Sequence, residues 1–339
     1  MPRIPTMSPR SRTTPRVPRR HGRVPRAAIL AMLTAAVGLA ALVAASSAAA
    51  ARSDGARPVP VSGLGGSLQN PCFSPGGDRL AFTRWPRRYN EGLAEVHVVP
   101  LPGGRSQRIS EAGTTSVNLP GSCWNNGLDR ITFSAEVDGP DAVWIASPLG
   151  ADRHEVLQRP RHVSIEPSFS PDGEWIAFES SIYDADGSGS IWKVRLDGSG
   201  LTRLTRGHND RQPNWSPAGD RIVFQRDQGN DTFDLITVDP NGRSPRNVTR
   251  TRRASETDVA WSPDGRRLVY SGGGPGVDIA SLFVIGADGR GRRRVTRARG
   301  YYDGAPTWSP DASTIVFESR RGEPDGSRGT RLWRVVAPS

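Results

Sequence analysis

The feature that most constrains this chain is a unit repeated six times. Its clearest copy reads Pro167-Ser168-Phe169-Ser170-Pro171-Asp172-Gly173-Glu174-Trp175-Ile176-Ala177-Phe178, and related stretches begin at Pro71, Ser122, Pro213, Val259 and Pro306. The leading aromatics are Phe73, Trp124, Phe169, Trp215, Trp261 and Trp308, separated by 51, 45, 46, 46 and 47 residues. An apolar anchor follows each of them seven residues later: Leu80, Ile131, Ile176, Ile222, Leu268 and Ile315. Self-similarity at a fixed period of this length marks an array of supersecondary units that bury their apolar faces against one another.

Each unit reads as four short strands. The first ends at the aromatic-Ser pair, and Ser-Pro-Asp-Gly supplies a tight turn, Pro presetting φ and Gly tolerating positive φ. The second strand reads as alternating, as in Trp175-Ile176-Ala177-Phe178. The third is exemplified by Ile191-Trp192-Lys193-Val194-Arg195-Leu196, with Asp197-Gly198 turning into the fourth. The fourth carries an apolar-Thr/Ser signature at Ile109-Ser110, Leu204-Thr205, Val248-Thr249 and Val295-Thr296. Four-stranded units of about 45 residues stack radially as propeller blades. The 38 Gly and 29 Pro in 339 residues fit many strands joined by turns, and nine Trp argue against a disordered chain.

The last unit stops after a third strand, Leu332-Trp333-Arg334-Val335-Val336, while Pro58-Val59-Pro60-Val61-Ser62 reads as a fourth strand lacking the first three. Val61 lies 12 residues before Phe73, matching the other blades. The expectation is an all-β, six-bladed β-propeller over residues 52–339, its last blade closed by the N-terminal strand, with no exposed edge left. Pro58 and Pro60 suit an outermost strand.

The net charge of +11 divides unevenly. Residues 1–51 hold eight Arg and no acid, leaving 37 basic against 34 acidic residues beyond. A basic flank, an apolar stretch over 27–45 and an alanine run ending at Ala51 meet the requirements of an export signal, with an uncleaved membrane anchor as the alternative. Residues beyond 51 are expected outside the cytoplasm, secreted or at the cell envelope. Arg19-Arg20 lacks the apolar residues of a twin-arginine signal. With the leader's charge set aside, no nucleic-acid partner is expected.

Cys72 and Cys123 each precede the leading aromatic of adjacent blades. Equivalent side chains point the same way around a ring, so the expectation is buried free thiols beyond disulfide reach.

The units resemble the WD-like repeats of TolB-type propellers, with Ser-Pro-Asp-Gly after an aromatic and Leu-Thr before the next blade. The resemblance implies fold more strongly than function. Similar propellers serve as periplasmic adaptors, as non-catalytic domains of prolyl peptidases and as carbohydrate-lyase scaffolds. Periplasmic TolB proteins also carry an N-terminal α/β domain, for which this chain has no room.

In a propeller, the loops entering the first strands rim one mouth of the axial channel. Counting back seven, five and three residues from each aromatic places His162, His208 and Tyr301, then Asp210, Glu256 and Asp303, then Glu166 and Asp258 at that mouth. Blades three to six supply all these carboxylates and His, and blades one and two none. Solvated loop charge paired with Arg is one reading. An acidic recognition mouth for a basic peptide or amine is another. A metal site built from His162, His208, Glu166 and Asp210 is a third, without tight ligand spacing. The stretch Asp184-Ala185-Asp186-Gly187-Ser188-Gly189-Ser190 lacks the distal Glu of a calcium loop and reads as a hairpin. Gly272-Gly273-Gly274-Pro275-Gly276 fits no phosphate loop, and no G-x-S-x-G elbow offers a nucleophile. The basic run at 290–299 reads as a charged outer edge, with anionic polymers or lipid headgroups as a secondary possibility.

The expectation is an exported, monomeric, non-catalytic propeller without cofactor or metal, binding a protein or peptide at the cell envelope. It would meet the membrane only through an uncleaved leader. The alternative is a divalent-metal-dependent, lyase-like enzyme on envelope polysaccharide.

Overall fold

The computed structural model describes residues 52–338 apart from 89–92, 111–116, 120–122, 126, 183–188, 230–231, 274–279 and 323–328. The leader, Gly121 and most of the two Gly-rich stretches lie outside the described residues. All regular structure described is strand, in six small antiparallel sheets arranged as a six-bladed β-propeller. The inner strands are Ser67–Phe73, the split pair Val117–Asn118 and Trp124–Asn125, His162–Phe169, Asp210–Trp215, Ser255–Trp261 and Tyr301–Trp308.

The turn chemistry behaves as its residues require. Ser74, Ser170, Ser216, Ser262 and Ser309 each accept, on Oγ, the N–H five residues on, at 2.9–3.0 Å. Each also donates to an Asp of its own turn. The fourth-strand signature also has a cause. Ile109, Leu204, Val248 and Val295 donate their N–H to the third strand at 2.7–2.8 Å. The adjacent hydroxyls of Ser110, Thr205, Thr249 and Thr296 accept an N–H from that same strand at 2.9–3.0 Å. The next blade's Asp-Gly turn then sits on this signature. A Cβ on Gly242 would lie 2.2 Å from Leu204 O, and one on Gly289 2.7 Å from Val248 O, so the blades stack closely only because both are Gly.

The second strands do not alternate between core and solvent. Ile176, Ala177 and Phe178 are all fully buried, as are Leu80, Ala81 and Phe82. Each blade is sandwiched between two others, so both faces of its second strand meet apolar neighbours. Apolar clusters accordingly lie between blades, for example Ala177 and Ile191 of blade three against Trp215, Ile222 and Phe224 of blade four.

The N-terminal strand closes the ring as expected. Arg57 pairs with Arg334 and Pro58 with Trp333 on the third strand Arg331–Val336 of blade six. The register differs by two residues from the sequence reading, because Val59, and not Val61, donates to Leu332 O at 2.9 Å. Pro60 has no N–H to extend that ladder, and Val61–Ser62 pairs instead with Gly104–Arg105 of blade one. A buried latch reinforces the closure. Arg52 grips Asp303 with two bonds of 2.7 Å, bonds Ser319 at 2.9 Å and Asp54 at 2.8 Å, and stacks 4.3 Å from the Tyr301 ring centre. Asp54 in turn accepts the N–H groups of Arg297 and Ala298.

The expectation of free thiols is overturned, because Cys72 and Cys123 are disulfide-bonded, with Cα atoms 6.1 Å apart. Neighbouring inner strands converge toward the axis, which brings equivalent positions of adjacent blades within disulfide reach.

Candidate binding site in the axial channel

Three residues before the leading aromatic, the inner strands are bulged. Asn70, Glu166, Gln212, Asp258 and Ala305 all have φ between 44° and 53°. Pairing with the second strand skips at this place in all five blades. Left-handed backbone is uncommon for residues other than Gly, and a bulge re-aims its side chain and leaves ladder groups unmatched. Side chains of the preceding blade take up the N–H groups this frees. Glu318 Oε2 accepts from Asn70 at 3.1 Å, Glu179 Oε2 from Gln212 at 3.4 Å and Gln212 Oε1 from Asp258 at 3.2 Å. The Asp258 carboxyl accepts the N–H of Ala305. A belt of hydrogen bonds thus ties blade to blade around the axis.

Burial changes the charge of this belt. It pushes Glu179 up to about 7 and Glu318 up to about 8, with Asp258 adding repulsion at Glu318. Glu166 rises well above the ordinary range through burial, reinforced by Glu179 and Asp258, and burial also raises Asp258. Several of these acids hold protons near neutral pH, so the bore is less negative than a count of acids implies.

The eight residues singled out by sequence do not converge on one site. Glu166 and Asp258 line a constricted polar pocket of about 20 Å³ on the axis, together with Asn70 and Gln212. Asp210 is fully buried and gripped by Arg226 of its own blade at 2.6 and 2.9 Å. Asp303 belongs to the Arg52 latch. Glu256 lies 3.0 Å from Thr251 Oγ1 and 3.8 Å from Arg292, and burial lifts it to about 7. Tyr301 packs edge-on against Trp333 under Arg52. His162 contacts the Pro160 carbonyl, and His208 is exposed on the turn before its strand. Among the described residues, no three His, Cys, Asp or Glu side chains are grouped as metal ligands.

Two residues of the belt, Glu179 and Glu318, were missed. They lie three positions after the second-strand anchors, where the other blades have Thr83, Ser134, Gln225 and Ser271, all buried and polar in otherwise apolar strands. That column of polar residues is the signal that could have found them.

Two to three residues farther along the inner strands, the channel opens into a cavity of about 280 Å³ lined by all six leading aromatics and five prolines of the Ser-Pro turns. The indole N–H groups of Trp215 and Trp308 are buried behind this lining and make no hydrogen bond to any described protein group. Trp124 and Trp261, by contrast, donate to Asp129 and to Asn214 O. Buried donors without acceptors are costly, by about 1–3 kcal/mol each. A concave aromatic surface is the usual make-up of a binding pocket.

The Tol-Pal system protein TolB of Francisella tularensis subsp. mediasiatica is 23% identical over 201 residues, covering 58% of this chain and 45% of that protein. The chain spans less than half the length of the first curated relatives it matches. TolB of Acinetobacter baumannii superposes with a TM-score of 0.61 at 16% identity, covering 82% of this chain and 66% of that one. An oligogalacturonate lyase in complex with manganese superposes with a TM-score of 0.54 at 13% identity, covering 84% and 96%. At such identities the likeness shows a shared fold. The family model described as the TolB beta propeller domain matches residues 44–300, and the chain belongs to that family.

Proposed function

We propose that this chain is an exported, non-catalytic binding module whose axial channel receives a short segment of a protein partner at the cell envelope. The observation that carries this reading is the cavity ringed by six aromatics, with Glu166, Gln212 and Asp258 beneath it. A segment with an apolar or prolyl side chain would fill the ring. A hydrogen-bonding group at its tip would meet the carboxyls of the belt. The TolB relative, named for the Tol-Pal system, fits a protein-binding role.

The test is cross-linked capture from cell-envelope extract, comparing the native protein with Trp215→Phe/Trp308→Phe and with Glu166→Gln/Asp258→Asn. Phe keeps an aromatic side chain but shrinks the bicyclic indole to a single ring, so the cavity wall recedes and partner recovery should fall several-fold with the fold intact. Recovery unchanged in both variants would place the site elsewhere. Thermal stabilisation by manganese or calcium, together with cleavage of an acidic polysaccharide, would replace this reading with the lyase-like one.

A further inference from the structure

The outer edges of blades four and five carry a charge distribution that the channel does not explain. Residues 240–255 and 289–302 contain eleven Arg and no carboxylate. All eleven are exposed. The fourth strands involved are Arg246–Asn247 and Arg293–Arg294. Between them, the turn of blade five that contains Gly289 docks on the fourth strand of blade four and leaves a polar groove of about 530 Å³. Arg246, Arg250 and Arg290 line this groove with Asn247, Thr249 and Asp288.

The groove is cationic in effect as well as in composition. Arg246, Arg250 and Arg290 form no ion pair with a carboxylate among the described residues. Arg246 donates to the backbone carbonyl of Asp288 and Arg250 to that of Asn247, which fixes the two guanidinium groups without neutralising them. The one acid present, Asp288, accepts the N–H of Arg290 at 3.0 Å within its own turn. Arginine's planar fork suits phosphate oxygens bidentately. Exposed Arg243, Arg252 and Arg253 on the blade-four stretch and Arg293 and Arg294 on the blade-five stretch add charge beyond the groove, Arg292 being paired with Glu256, which makes a track rather than a single-anion pocket.

We propose that this groove binds a linear phosphodiester polymer, with consecutive phosphates passing from one blade edge to the next. It is independent of the channel and of the function proposed for it.

The test uses the purified protein and poly(glycerol phosphate) of defined length, with affinity measured across a salt series. Arg246→Ala/Arg250→Ala/Arg290→Ala should weaken binding at least tenfold and reduce the salt slope by about two, since each lost phosphate contact on a single strand removes about 0.7. The equal-charge control Arg105→Ala/Arg108→Ala/Arg153→Ala, on exposed edges of blades one and two, should change affinity less than about twofold, a loss that overall charge alone would impose on both variants alike. Equal loss in both triples overturns the proposal. So does tighter binding of a single-stranded DNA of the same charge, which would assign the track to nucleic acid. Binding to phosphatidylglycerol vesicles but not to the free polymer would assign it to a membrane surface and overturn it as well. Inorganic phosphate should compete only at concentrations far above the polymer's phosphate content, and competition at equal concentration would reduce the track to a single-anion site.

Discussion

Replacing Arg52 with Met removes the guanidinium of the latch while keeping an apolar stem of similar length. The variant loses the paired bonds to Asp303, the bonds to Asp54 and Ser319, and the stacking on Tyr301. Asp54 and Asp303 stay behind with side chains only 2% exposed. Breaking a buried pair by removing one partner costs about 3–5 kcal/mol. The carboxyls can escape part of that cost by taking up protons. Starting from an ordinary value near 3.9, protonation costs about 1.4 kcal/mol per pH unit, so about 4 kcal/mol at pH 7 and about 1.5 at pH 5. The two routes agree at neutral pH and diverge below it. Urea unfolding followed by Trp fluorescence should therefore show a loss of about 4 kcal/mol at pH 7, shrinking by about 2 kcal/mol or more at pH 5. Adding Asp303→Asn should recover part of the loss at pH 7 and little at pH 5. A deficit below about 1 kcal/mol at both pH values would refute the idea that this network holds the ring closed.

Reduction of the Cys72–Cys123 bond, or Cys72→Ser/Cys123→Ser, opens a loop of 51 residues and should cost about 4 kcal/mol by loop entropy, read as a lower urea midpoint. Native stability should fall as pH rises from about 5 to 8, because Glu179 and Glu256 near 7 and Glu318 near 8 hold protons in the fold that the unfolded chain has already released. Asp54 has the opposite sign, since its folded value is depressed, so its contribution disappears only in acid. Glu318→Gln should flatten the alkaline part of that profile while keeping the acceptor for Asn70, and an unchanged profile would count against it. Gly242→Ala should destabilise by several kcal/mol, through positive φ and a clash with Leu204 O, whereas Gly207→Ala, with positive φ and open space, should cost much less.

The fold was legible because its information is local. An aromatic, a Ser-Pro turn and an anchor seven residues on are fixed by turn geometry and strand period, and they recur often enough to set the blade count. The site was less legible because its contacts are not local. Asp303 meets Arg52 from 251 residues away, and the Asp210 pair depends on two strands lying in one particular register. Counting positions back from Trp215, Trp261 and Trp308 located these acids on the inner strands. It could not reveal that three of them were already spent on cations or hydroxyls. The disulfide was misjudged for a related reason: spacing along the chain says which residues are equivalent but not how far the inner strands converge. Glu179 and Glu318 lie outside the loops that rim the mouth, and only the polar column in the second strands marks them in the sequence.

Closure by the N-terminal strand sets an order on assembly. Arg57 is made well before its partner Arg334, so the outer strand of blade six waits for the other strands of that blade to be synthesised. Contacts this distant in sequence slow folding, and until they form the Arg331–Val336 edge and its apolar face have no cover. The same pairing that leaves the finished ring without an open blade makes the nascent strand Arg57–Pro58 wait, unpaired, for blade six.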